Sequence, residues 1–190
     1  HLMAPPSALS ELESLLLMHT PWPAAWSLLS RRSSTALLYE LHRTRLRYTF
    51  QRLATTADMH ERPVFVLAHV MAPHPPFVVD EYGAPIHSSR PFSFYTHEYP
   101  EAEYVECYRR ALVYVNRQLE TVIDGILSDA RPAPIIILQS DHGSGHVLRT
   151  VTFERANAAQ RLAIVQERLA IFNAYYLPGG NPTRLYAEIS

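Results

Sequence analysis

Three isoleucines and a leucine, Ile135 to Leu138, lead through Gln139 and Ser140 straight into Asp141 and His142. The full stretch reads IIILQSDHGSGH over residues 135–146. An unbroken β-branched apolar run of this length fits a strand covered on both faces, the kind found in parallel sheets flanked by helices. A charge at the end of such a strand is costly unless water or a cation meets it. The stretch therefore predicts an α/β layer and a polar task for the carboxyl end of one strand.

The remaining chain supplies the other layers. Apolar residues at Leu37, Leu38, Leu41, Leu46, Phe50 and Leu53 predict a helix over residues 33–54. Pro63 opens VFVLAHV, which reads as a buried strand ending near His69. MAPHPPF follows, and its three prolines forbid regular structure. A long loop runs on to about Pro100, and its aromatics (Phe92, Phe94, Tyr95, Tyr99) fit core or surface packing better than a substrate wall. Tyr104, Tyr108, Leu112, Val115, Leu119, Ile123 and Ile126 then step by three and four, predicting one long amphipathic helix over 102–130. Pro132 and Pro134 stop it. FERANAAQRLAIVQERL reads as helical in part, and Leu169 to Tyr176 as a third strand closed by Pro178, Gly179 and Gly180. A short helix from Glu11 to Met18, capped by Ser10, fits between the prolines of the first 30 residues.

Strand, long helix, strand, helix, strand defines an α/β fold with a mainly parallel sheet and flanking helices. The organisation reads as a Pro-rich start and helical segment over 1–62, followed by one partial domain over 63–190. In such sheets ligands bind beyond the carboxyl ends of strands, where both His69–His74 and Asp141–His142 fall.

Charge and cysteine narrow the function. With Lys+Arg 17 against Asp+Glu 18, the chain lacks the basic surplus that nucleic acid or a polybasic membrane patch requires. The single cysteine, Cys107, forms no internal disulfide. It falls in the helical apolar pattern between Tyr104 and Tyr108, so it reads as core and not as a nucleophile. No apolar run approaches the roughly 18–20 residues of a membrane span, and no signal-peptide pattern opens the chain, which reads as a soluble piece. G-x-S-x-G and glycine-rich phosphate loops are absent.

Asp141 and His142 place a hard oxygen beside an imidazole nitrogen, and Gly143 and Gly145 let the backbone turn so that both can aim at one point. Such a pair suits zinc or manganese better than calcium. The same residues also fit a helix cap at Asp141 beside an ordinary polar histidine. His74, between prolines, sits on a stiff non-helical backbone, and His69 fits either a site or a strand-end core histidine. His146 stands four residues after His142, but the intervening glycines speak against a helical chelating pair.

In order, FVLAHVMAPHPPFVVDEYG, the long helix, IIILQSDHGSG and RLAIFNAYYLPGG resemble the C-terminal part of a sulfatase-like domain of the alkaline phosphatase superfamily. The pattern is most similar to the membrane-anchored branch of lipoteichoic-acid synthases and phosphoethanolamine transferases. The resemblance implies Asp141 and His142 as ligands of a catalytic divalent metal, manganese or zinc ahead of magnesium or calcium. It implies His74 and His69 on the substrate side, binding the phosphate or sulfate group or a second metal. The implied reaction is two-step displacement through a covalent enzyme ester on a threonine, serine or modified cysteine. Substrates would be phosphate or sulfate esters, including envelope lipids or polymers, at the extracytoplasmic face of a membrane that anchors the parent chain.

The resemblance also places the nucleophile and a first acidic ligand on an early strand, which residues 1–62 do not show. The chain therefore reads as a fragment, inactive alone, mostly metal-free and prone to self-association or poor stability. Two other readings remain: a non-catalytic relative that binds an envelope ligand, and an unrelated α/β domain in which Asp141 and His142 satisfy each other.

Overall fold

Tyr39, Arg43, Leu46 and Phe50 recur at four-, three- and four-residue steps along helix α1 (Ser34–Ala54), and all four are buried. That stripe packs against α2 (Glu101–Asp129), the long helix, whose inward residues include Tyr114, Val115 and Val122. Phe50 meets Tyr114 edge to face at 6.2 Å, and Tyr39 meets Phe92 likewise at 5.5 Å. Arg43 is the polar member of the stripe. Its Nε donates to the carbonyl of Val78 at 2.9 Å and its Nη1 pairs with Glu40, so the buried guanidinium is not left unsatisfied. A second cluster joins Phe77, Tyr99, Tyr104 and Ala111, with Cys107 half-buried against it. Burial pushes the Cys107 thiol up, away from the reactive thiolate, in keeping with its reading as a packing residue.

The computed structural model describes residues 20, 21, 25, 34–56, 63–88, 90–95 and 98–180, in two compact units, His1–Asp129 and Ala130–Ser190. The helix expected over Glu11–Met18 lies outside the described residues.

In the first unit, the segment after MAPHPPF makes a tight turn. Asp80 Oδ1 accepts the N–H groups of Tyr82 and Ala84 at 2.9 and 2.8 Å, and Val79 bridges to Pro85. Gly83 has φ +82°, and a Cβ there would meet the Tyr114 ring at 2.8 Å, so both conformation and space require glycine. Three arginines clamp the turn to the helices. Arg47 donates to the carbonyl of Gly83, Arg117 to that of Glu81, and Arg110 pairs with Asp80 and Glu81.

The expected strand VFVLAHV is not one. Residues 63–70 join no ladder among the described residues, and Phe65 and Leu67 are 90% and 82% exposed. β-Propensity states that a segment suits a sheet; it does not supply the neighbour whose N–H and C=O groups complete one.

In the second unit, β1 (Ile136–Gln139) pairs with β2 (Asn173–Tyr176), in register from Ile136↔Tyr176 to Gln139↔Asn173. Between them lie a 3-10 turn (Val147–Arg149) and α3 (Ala158–Leu169). α3 begins with a reciprocal cap: Asn157 Oδ1 accepts the N–H of Gln160, and Gln160 Oε1 accepts that of Asn157. Three expectations are corrected here. The ladder is antiparallel, not parallel. The last strand begins at Asn173 because Leu169 still belongs to α3, where the N–H of Ala170 bonds back to Gln166. β1 is not covered on both faces: Ile137 is 56% exposed. Among the described residues no helix is long and apolar enough to cross a membrane.

Candidate active site

β1 delivers Asp141 and His142 into a loop that is held from several sides. The N–H of Ser140 donates to Phe172 O at 2.9 Å, and the Ser140 hydroxyl accepts the N–H of Phe172 at 2.8 Å, prolonging the ladder through a side chain. Gly143 N–H donates to Arg168 O at 3.0 Å, satisfying a carbonyl that the last turn of α3 leaves open. The approach there is so close that a Cβ on Gly143 would fall inside the envelope of the Glu167 carbonyl oxygen. The Glu167 carboxylate then gathers the next turn. It accepts the Ser144 hydroxyl, His146 N–H at 2.7 Å and Val147 N–H at 2.9 Å. Sequence reading missed Glu167, because a mid-helix glutamate carries no local mark of an anchor.

Within this loop Asp141 is 75% exposed, and its Oδ1 accepts the N–H of His142 at 3.0 Å. It caps no helix among the described residues, since Asn157 caps α3 and His146 precedes the 3-10 turn. His146 serves the loop through its backbone N–H.

His142 Nδ1 lies 2.7 Å from Gly143 O. A carbonyl only accepts, so Nδ1 carries the proton, and in the neutral ring the lone pair sits on Nε2. That nitrogen lies 3.4 Å from Asp141 Oδ2. The separation is long for a hydrogen bond, yet two ligand atoms about 2.0–2.1 Å from a tetrahedral zinc stand about 3.3–3.4 Å apart. The pair thus fits one edge of a divalent cation's shell. It supplies two ligands only: among the described residues no group of three or more His, Cys, Asp or Glu side chains is placed to hold a metal.

His69 and His74 belong to the first unit, and Asp141 and His142 to the second. His74 repeats the device of His142. Its Nδ1 lies 2.7 Å from Pro75 O, which leaves Nε2 as the lone-pair nitrogen of the neutral ring. Phe94 stands 6.4 Å from the His74 ring and 6.0 Å from that of His42 on α1. His42 was not singled out from the sequence. Burial lowers its pKa to about 4, helped by the charges of Arg45 and His74. A small cavity of ≈ 30 Å³ opens beside it, with His42, Arg45, Thr49 and His69 as its polar lining. The signal for this cluster was the three-residue spacing of His42 and Arg45, which places them on one helix face.

The sulfatase family matches the chain over residues 27–188, so the match begins well upstream of Pro63, where the legible motifs start. No curated protein and no solved structure matches the chain. The family has an α/β, alkaline-phosphatase-like fold, acts on sulfate esters as hydrolases and generally uses a divalent metal. With most of its length inside that match, the chain belongs to the sulfatase family.

Proposed function

We propose that Asp141 and His142 are two ligands of a catalytic divalent cation, manganese or zinc, in an enzyme that hydrolyses or transfers phosphate or sulfate esters. His74 and His69 contact the transferred group. The observation that carries this reading is the 3.4 Å between His142 Nε2 and Asp141 Oδ2, beside a tautomer fixed by Gly143 O. A bound cation supplies charge neutralisation on the ester oxygens and a lowered pKa for the attacking group. The chain's own residues do the positioning. Glu167 and Arg168 hold the loop, Gly143 O orients the His142 imidazole, and Pro75 O orients that of His74, leaving its Nε2 available to the transferred group.

By the resemblance, the nucleophile and a first acidic ligand belong to an early strand that residues 1–62 do not display, and on that reading the chain alone does not turn over and holds metal weakly. By resemblance, the parent protein belongs to the membrane-anchored branch and acts on envelope lipids or polymers at the extracytoplasmic face. Self-association follows from the apolar, unladdered residues around Phe65 and Leu67.

The test is an ester assay on a polypeptide extended upstream. Nitrophenyl phosphate, bis-nitrophenyl phosphate and nitrophenyl sulfate are offered with and without manganese or zinc. Metal-dependent turnover of one ester, abolished in Asp141→Ala, supports the reading and names the transferred group. A second reading is a non-catalytic relative that binds an envelope ligand. Failure of the folded, metal-loaded protein on every ester would favour it.

A further inference from the structure

We propose that the cavity beside α1 is an oxyanion site in which Arg45, His42 and His69 hold a tetrahedral sulfate or phosphate group. That this is the transferred group rests on the reading of His69 and His74 as substrate-side residues; the binding itself does not.

Charge carries the inference first. Arg45, like Arg47 and Arg117, meets no carboxylate among the described residues, and it lines the cavity beside His42. No carboxylate lines the cavity, and its polar groups are two imidazoles, a guanidinium and a hydroxyl. The Thr49 hydroxyl already donates to Arg45 O at 3.0 Å, which ties down the helical turn that carries the guanidinium. The cavity is thus lined by a cation and two imidazoles and by no anion. Burial and the charges of Arg45 and His74 lower the His42 pKa to about 4, and a bound anion would raise it. Guanidinium and imidazolium are strong donors for such oxygens.

Size sets the ligand class. A cavity of ≈ 30 Å³ admits about two water-sized groups. It therefore takes two oxygens of an oxyanion while an ester arm stays outside. The larger hollow of ≈ 420 Å³ beside Arg90 and Glu103 lacks this preference, because its arginine is already paired at 2.5 Å.

The test uses the 190-residue protein in EDTA, so that no metal at Asp141–His142 contributes. Inorganic sulfate, inorganic phosphate, phenyl sulfate and phenyl phosphate are titrated while the imidazole NMR signals are followed. The expected result is saturable movement of the His42 and His69 signals and a rise in the His42 pKa. Arg45→Met should raise Kd by about tenfold or more and Arg45→Lys by less, because a point charge lacks the bidentate fork. Arg109→Met, which removes an exposed charge, should leave Kd unchanged. Absence of saturable movement, or an Arg45→Met protein that binds as well as wild type, overturns the site. Binding of inorganic anions without the phenyl esters would overturn its assignment to the transferred group. Because no metal or nucleophile takes part, a negative ester assay leaves this result standing, and the reverse also holds.

Discussion

Glu167 Oε1 accepts the backbone N–H of His146 at 2.7 Å, and Oε2 that of Val147 at 2.9 Å, so one side chain of α3 secures the loop that carries Asp141 and His142. Glu167→Ala leaves these donors and the Ser144 hydroxyl without their acceptor. We expect a loss of about 1–3 kcal/mol in urea unfolding. Amide exchange at His146 and Val147 should accelerate with it. Unchanged exchange would mean that something other than Glu167 holds the loop.

The same carboxylate predicts acid sensitivity. Burial pushes Glu167 up, but the Ser144 hydroxyl, the N–H groups of Val147 and His146 and the nearby His146 outweigh it, and the net shift is down. A carboxyl depressed on folding adds stability above its unfolded pKa of about 4.3, and this is lost as pH falls through the folded value. Wild type should therefore lose urea resistance below about pH 5, with a shallower decline in Glu167→Gln. Parallel declines in the two proteins would assign the acid sensitivity to other groups.

Gly143 is required by space. Gly143→Ala drives a methyl into the Glu167 carbonyl oxygen, so the loop must leave α3 or the helix end must shift. The expected destabilisation is about 1–3 kcal/mol. The backbone resonances of Asp141 and His142 should move with it. Wild-type stability and resonances in this variant would mean that the loop and the end of α3 accommodate a methyl group without moving.

Phe65 and Leu67 alternate along a segment that joins no ladder and are exposed together. Sedimentation should show concentration-dependent association, reduced to a single monomeric species in Phe65→Lys/Leu67→Lys. Identical profiles for the two proteins would place any association elsewhere.

The helices were the most legible elements, because their hydrogen bonds are local and their apolar spacing is written in the segment itself. The expected spans 33–54 and 102–130 meet Ser34–Ala54 and Glu101–Asp129. Even so, the inward face of α1 includes Arg43, which apolar spacing cannot select; the carbonyl of Val78, 35 residues away in sequence, makes that burial tolerable. Strands fared differently. Ile135–Gln139 was found almost to the residue, yet VFVLAHV, of similar composition, joins no ladder, and Leu169 went to a helix.

By itself the sequence determined the helical segments, the proline breaks, the Asp-His pair after an isoleucine strand and the order of motifs behind the family resemblance, since each is set by residues close along the chain. Only the tertiary structure decided the antiparallel pairing of β1 and β2, the hold of Glu167 on the site loop and the meeting of His42, Arg45 and His69 around one cavity. Those depend on backbone groups and charges brought together from distant positions, and no local pattern encodes which distant partner will arrive.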